Sequence, residues 1–383
     1  MSISTLDPTS HLFAIRDTEK RGRGIFASQK ITQGTMLLAT GPPFASVIFE
    51  DYGKEVCAWC FGYDRGRSWG LRRLYGGMGV VFCDIQCQET WVSEISGVRA
   101  EAWEGLQGFV RRRKRKSSDD GDRGKQVVGE SEVEKCWAEA ECEAQRIREC
   151  RKNTEPTKRQ RLILQSAQNS FMASLEDPYI IRYMFSGLFP SPSHPEMQQV
   201  LDNLTADPHP YKNPTTLNQA ISAYLLLLAT APASLLPSIA QSSIRALHAR
   251  SSHNAFSLRS LDEGGEDGDA GSECFGYGLW PIASYWNHSC APNVQKRRVG
   301  RTWSFWAARD VQVGEELCIS YLGGDERVMG VDERREKLRA VWGFECECEK
   351  CGEEVERGKG VMSGGEGGFG GDITSRSALI VCK

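Results

Sequence analysis

This sequence is short of several things, and each shortage removes a class of function. No uninterrupted apolar run approaches the ~20 residues that a membrane span needs. The longest candidate, Ala220 to Leu236, is interrupted by Ser222, Thr230, Pro232 and Ser234, and reads as a buried helix that breaks at Pro232. No membrane partner is expected. An excess of either charge is also missing: 383 residues carry a net charge of only −3. No global field therefore draws the chain to nucleic acid, and sequence-specific reading of nucleic acid is not expected. The first residues lack the basic-then-apolar pattern of a secretory signal. The expected location is accordingly the nucleus, the cytoplasm or both, where thiols stay reduced.

Hydrophobic residues at 40% and charged ones at 25% are ordinary for a globular protein. The length suffices for one large domain or two to three modest ones. Cysteine is abundant, with fourteen residues. In a reducing compartment such thiols bind zinc more often than they pair. Cys57-x2-Cys60 and Cys83-x3-Cys87 form two knuckles that match a closed, tetrahedral, all-cysteine structural site. Cys346-x-Cys348-x2-Cys351 is a second dense cluster. Cys136, Cys142 and Cys150, at spacings of six and eight, make no knuckle and read as free thiols.

Ser284 to Asn293 packs an amide, an imidazole and a thiol into Asn287-His288-Ser289-Cys290 and closes on Pro292-Asn293, a turn signal. Val311 to Tyr321 is an alternating, β-rich run that ends on a tyrosine. NHSC-x-PN, then GEEL-x3-Y, then C-x-C-x2-C, in that order, resembles the catalytic half of SET-domain lysine methyltransferases. The Arg21-Gly22-Arg23-Gly24-Ile25-Phe26-Ala27 string resembles the opening motif of that fold. The finger at 57–91 resembles one of the two interleaved zinc sites of a MYND finger, while the ligands of the second are absent from the sequence. The chain is thus similar to the SET-and-MYND family with a degenerate finger.

The resemblance implies a mixed α+β architecture: a SET β-fold of small sheets with a pseudoknot, split by a zinc-finger and helical insertion, followed by a cysteine-rich zinc-binding segment. The corresponding division is 11–56 for the N-terminal part of the SET domain, 57–91 for the finger and 92–252 for a helical insertion. It continues with 253–322 for the C-terminal SET core, 323–355 for the zinc segment and 356–383 for a Gly-rich tail. Residues 117–131 read as unordered, and the basic run Arg111–Lys116 as an import signal or a solvated linker.

By the same resemblance the cofactor is S-adenosylmethionine. Gly22, Arg23, Gly24, Asn254, Ser284, Asn287, His288, Tyr321 and Phe344 would form its pocket. Trp280, Ile319, Tyr321 and Phe344 would wall the substrate channel. Cys290 would join Cys346, Cys348 and Cys351 around a second structural Zn2+, and Cys57, Cys60, Cys83 and Cys87 would hold the first. The implied partner is a protein substrate, histone or non-histone, bearing a lysine; a monomer is expected. Methyl transfer to an amine needs a neutral nucleophile, and a free lysine has a pKa near ~10.4. An apolar channel and a positive donor both lower that value, so little acid–base machinery is required. A polar oxygen at the channel's neck is required, and Tyr321 would supply it. The competing reading is a catalytically silent, zinc-stabilised interaction module on the same fold. Between Tyr321 and the last cluster, Asp332 to Trp342 reads as a short helix, with Asp332 as N-cap and a Glu333–Lys337 pair.

Overall fold

The computed structural model describes residues 8, 10–18, 21–64, 66–75, 78–95, 97–112, 128–152, 155–174, 178–189, 197–260 and 273–359. The acidic Gly-rich loop 262–271, the basic run beyond Arg112, residues 117–127 and the tail beyond Lys359 lie outside them. In chain order the strands are β1 Phe13–Thr18, β2 Gly22–Ala27, β3 Met36–Ala39, β4 Ala45–Ile48, β5 Leu71–Tyr75, β6 Met78–Phe82, β7 Ala255–Arg259, β8 Cys274–Leu279, β9 Asn287–His288, β10 Val294–Val299, β11 Thr302–Ala307 and β12 Glu316–Ile319. The helices are α1 Ile85–Glu94, α2 Val98–Arg112, α3 Glu130–Arg151, α4 Lys158–Ser174, α5 Tyr179–Leu188, α6 Met197–Asp202, α7 Pro214–Thr230, α8 Gln241–Asn254, α9 Val331–Trp342 and α10 Glu349–Lys359. The chain divides into two units. Residues 1–43, 252–274 and 280–383 form the first, and 44–251 with 275–279 the second. The result is a mixed α and β protein of small sheets.

In the first unit β1 and β2 form an antiparallel hairpin from Phe13↔Ala27 to Thr18↔Gly22. Its turn needs a left-handed residue, which Gly22 supplies at φ 66°. β12 continues the sheet antiparallel to β2, and the two-residue β9 closes it in parallel with β12. A second sheet orders β10-β11-β3. The alternation in Thr302-Trp303-Ser304-Phe305-Trp306-Ala307 turns Trp303, Phe305 and Ala307 inward. Phe305 stacks on the fully buried Trp286 at 5.1 Å. Pro292-Asn293 does more than turn the chain. Asn293 donates to Glu316 O at 2.8 Å and to Glu315 Oε1 at 3.0 Å, and accepts from Cys318 N at 2.8 Å, which ties the loop to β12.

The helix before the last cluster differs at its start from the sequence expectation. It begins at Val331 with Gly330 at the cap, and Glu333 accepts the Gly330 N–H at 3.2 Å. Asp332 is inside the first turn, and Lys337 pairs with Glu326 at 2.6 Å instead of Glu333. The helix ends on Gly343 in the left-handed conformation, φ 75°, which re-aims the chain into Phe344 and the cysteines.

In the second unit β4 pairs β8 from Ala45↔Leu279 to Ile48↔Gly276. A Cβ on Gly276 would lie 2.2 Å from Val47 O, so this approach needs glycine. Helices α1 and α2 are separated by Gly97 at φ 65°. Helix α3 starts at Glu130, so residues 130 and 131 are helical instead of unordered. The apolar run of α7 starts with a capping box, Asn213 and Thr216 around Pro214, and buries Tyr224 through Ala229. Each such leucine removed from water contributes about 1.5–3 kcal/mol. α3 packs on α7 with its basic end satisfied: Arg151 donates to Leu228 O at 2.7 Å and Arg148 to Tyr224 Oη at 3.1 Å. Among the described residues no helix is long and apolar enough to cross a membrane.

Candidate active site and cysteine clusters

The parallel pairing of β9 with β12 builds the site. It sets Asn287 beside Cys318 and His288 beside Ile319, and Ser289 N donates to Ile319 O at 2.9 Å. Tyr321, two residues beyond Ile319, is thereby brought back over His288. Its backbone N–H donates to His288 Nδ1 at 3.0 Å, and the two rings lie 5.3 Å apart. An imidazole that accepts at Nδ1 carries its proton on Nε2. That atom lies 3.3 Å from Cys290 Sγ. Burial holds the His288 pKa down to about 3, so the ring stays neutral.

Tyr321 is buried and donates its hydroxyl proton to Trp286 O at 2.8 Å. Burial, first of all, pushes its pKa well above the ordinary tyrosine value, with the charges at Cys318 and Glu316 acting in the same sense. Trp342 and Phe344 face its ring at 5.2 and 6.3 Å, and Phe344 is half-buried.

On the other side of β9, Asn287 Nδ2 donates to Arg23 O at 3.1 Å and to Glu316 Oε1 at 2.8 Å. Gly24 must be a glycine for this to happen. A Cβ there would come 2.5 Å from Glu316 Oε1 and 3.0 Å from Asn287 Nδ2. Glu316 is fixed from its other oxygen by Arg21 at 2.7 Å. The Arg23 guanidinium lies over the Tyr285 ring at 4.9 Å. Ser284 Oγ is 3.2 Å from Asn254 O and 3.0 Å from Trp280 O, so Ser284 ties Asn254 to Trp280. His288 faces Tyr321, while Arg23, Gly24 and Asn287 meet at one edge beside Glu316. The polar groups of that edge suit a small zwitterion such as the amino-acid end of S-adenosylmethionine. Arg23 supplies a cation, and Asn287, with both amide hydrogens engaged, keeps Oδ1 as an acceptor.

Trp280 is placed differently from the other channel candidates. It packs edge-on against Phe256 and Trp303, at 6.3 and 6.1 Å, and donates to Arg301 O at 2.8 Å. The ammonium of Lys296 lies over Phe256 and Trp303, at 5.3 and 5.7 Å, and donates to Ser320 O at 3.2 Å. Lys296, Trp286, Trp342 and Glu316 were not singled out from the sequence. Glu316 stands inside the GEEL string and Trp286 directly precedes Asn287, so both were within quoted motifs. Lys296 and Trp342 carry no local signal, because only strand pairing and helix docking place them.

Both predicted cysteine sets come together. Cys57, Cys60, Cys83 and Cys87 form one group and Cys290, Cys346, Cys348 and Cys351 the other, with all sulfurs of a group within 4.8 Å of one another. Cys60 and Cys87 lie 3.5 Å from Cys83, Cys351 lies 3.5 Å from Cys290, and Cys346 lies 3.9 Å from Cys290. A tetrahedron with Zn–S bonds of ~2.3 Å has S···S edges of about 3.8 Å, so the spacing and the donor set fit zinc. The first knuckle closes on Phe61 at φ 62°, its N–H donating to Cys57 O at 3.0 Å. Hydrogen bonding from Cys60 lowers the Cys57 pKa to about 5, and hydrogen bonding from Cys290 lowers that of Cys348. One thiolate in each group is thus favoured before any metal arrives. Cys136, Cys142 and Cys150 are free.

The SET domain profile matches residues 22–322 of the chain. Over 381 residues, covering 91% of this chain and 96% of the relative, it is 25% identical to "Potential protein lysine methyltransferase SET6" of Saccharomyces cerevisiae. Over 76 residues, 20% of this chain and 17% of the relative, it is 45% identical to "Histone-lysine N-methyltransferase SMYD3" of Homo sapiens. Among solved structures, the SET domain of LSMT bound to lysine and AdoHcy is 12% identical, with 89% of this chain and 54% of that chain covered and a TM-score of 0.28.

Proposed function

Because the chain belongs to the SET-domain family, we propose that it is an S-adenosylmethionine-dependent protein-lysine N-methyltransferase whose chemistry is carried by Tyr321. The observation behind this reading is the closure of β9 on β12. It leaves the Asn287 edge, with Arg23 and Gly24, on one side of a two-residue strand and His288 with Tyr321 on the other. Bound at that edge, S-adenosylmethionine would supply a methyl group on a positively charged sulfonium.

The chain's own residues do the rest. Tyr321 Oη has spent its one proton on Trp286 O, so what it offers an incoming amine is a lone pair. It accepts an N–H of the neutral lysine and thereby aims the nitrogen's own lone pair. With its pKa raised by burial, the phenol does not ionise and is no general base. The amine must arrive neutral, having lost its proton on entering apolar surroundings walled by Ile319, Phe344 and Trp342. Asn287 Oδ1 and the Arg23–Gly24 backbone hold the donor's amino-acid end.

In this reading both cysteine groups hold structural zinc, the first as a half-finger of MYND type. The Cys290 group fastens the segment after Gly343 beside the site, with Phe344 6.0 Å from His288. The substrate is a protein, histone or non-histone, and the place of action is the nucleus, the cytoplasm or both. Incubating the purified protein with cell extract and labelled donor tests the activity. Donor-dependent stabilisation against heat tests binding alone, since a ligand selective for the folded state raises Tm. Stabilisation without label transfer would instead favour a silent module that retains the pocket.

A further inference from the structure

The two four-thiol groups share a donor set, but what bonds their sulfurs differs. In the Cys290 group a guanidinium reaches in. Arg334, on α9 and 2% exposed, donates from Nη2 to Cys351 Sγ at 3.5 Å and to Glu354 Oε2 at 2.7 Å. His288 adds a second N–H from Nε2 to Cys290 Sγ at 3.3 Å. Beside the finger group sits a carboxylate instead. Asp84 caps α1 through Oδ1, which accepts from Cys87 N at 2.7 Å, and its Oδ2 is thereby held 3.4 Å from Cys83 Sγ. Among the described residues no side-chain N–H bonds a sulfur of the finger group.

Four thiolates around one divalent ion leave two negative charges. Donors aimed at the sulfurs spread that charge, lower the sulfurs' nucleophilicity and hold the ligands in place. A fixed carboxylate beside a thiolate adds to the charge. Arg334 is also tied down at both ends, by Glu354 and by Met329 O, so it cannot swing away when a competing ligand approaches.

We propose that the two sites hold zinc unequally: Arg334 is a positioning residue that locks the zinc of the Cys290–Cys346–Cys348–Cys351 group, and the finger zinc, with Asp84 against it, leaves first. Low free zinc or thiol-reactive chelation then empties the finger while the group beside the active site stays loaded. The inference rests on both groups holding zinc and is independent of methyl transfer.

The test follows zinc released from the full-length protein by an excess of 4-(2-pyridylazo)resorcinol. Total metal, measured beforehand, should be two equivalents; fewer overturns the proposal. Wild type should release one equivalent quickly and one slowly. Arg334→Met should speed the slow phase on the order of 10–100-fold, the range for loss of a group that orients a metal ligand, and Arg334→Lys should restore part of it. A single phase in wild type, or an unchanged slow phase in Arg334→Met, overturns the proposal. Should Arg334→Met unfold and release both ions at once, Asp84→Asn decides. It keeps the cap and removes the charge, so a slower fast phase supports the proposal and an unchanged one overturns it.

Discussion

Replacing Tyr321 by phenylalanine removes one oxygen and leaves the ring. The packing against His288, Trp342 and Phe344, at 5.3, 5.2 and 6.3 Å, has no reason to change. The backbone bond from residue 321 to His288 Nδ1 is untouched, so the β9–β12 closure survives. The stability cost is confined to Trp286 O, a buried acceptor that loses its partner, worth about 1–3 kcal/mol. The catalytic cost is larger. A positioned polar group in the transition state is worth on the order of 10²-fold or more, which corresponds to at least ~2.7 kcal/mol of barrier. Single-turnover transfer of label with saturating donor isolates that step. The variant should be slower by this factor while donor still raises Tm by the wild-type amount and zinc content stays the same. Turnover within about threefold of wild type, well short of that factor, would refute the assignment of Tyr321 and with it the orientation argument.

Asn287→Ala should weaken donor binding, because it frees Arg23 O and Glu316 together; an unchanged donor-induced Tm shift would count against the pocket as drawn. Gly24→Ala should do the same by steric means, its Cβ meeting Glu316 Oε1 at 2.5 Å, with metal content unaltered. Since Tyr321 stays a phenol through the alkaline range, the single-turnover rate should rise with pH as the substrate amine is deprotonated, without a fall near the ordinary tyrosine pKa; a descending limb there would show that Tyr321 ionises. His248, fully buried and stacked on Tyr211 at 5.0 Å, has its pKa lowered by burial from 6.5 to about 4. The unfolded chain takes up that proton first. Stability of the helical unit should therefore be fully present above pH 6.5 and fall as pH drops toward 4, by up to roughly 3 kcal/mol. Urea unfolding of His248→Phe should lack this one-proton dependence, and an identical slope in both proteins would refute it.

Much of the site was legible because its chemistry is local. Asn287, His288 and Cys290 are adjacent in the chain, and each cysteine knuckle closes over two or three residues. The chain's own stereochemistry therefore sets these groups in register, and motif order carries the rest. The apolar run of α7 was likewise readable, since its composition and its break before Pro232 are local signals. What the sequence alone left undecided depends on contacts between distant segments. Asn293 reads as a turn residue until Glu316 and Cys318 arrive from β12 to use both ends of its amide. Asp332 is as good a cap as Gly330 by composition, and the structure begins the helix at Val331 with Glu333 reaching back to Gly330 N. Trp280 finds its ring partner only when the β10–β11 hairpin brings Trp303 against it. Arg334 looks like any arginine on a charged helix face. Only docking of α9 onto the last cysteines buries its guanidinium against sulfur. A sequence determines which groups are neighbours along the backbone. Which groups lose their water, and to whom they then bond, is decided only when strands paired across hundreds of residues close.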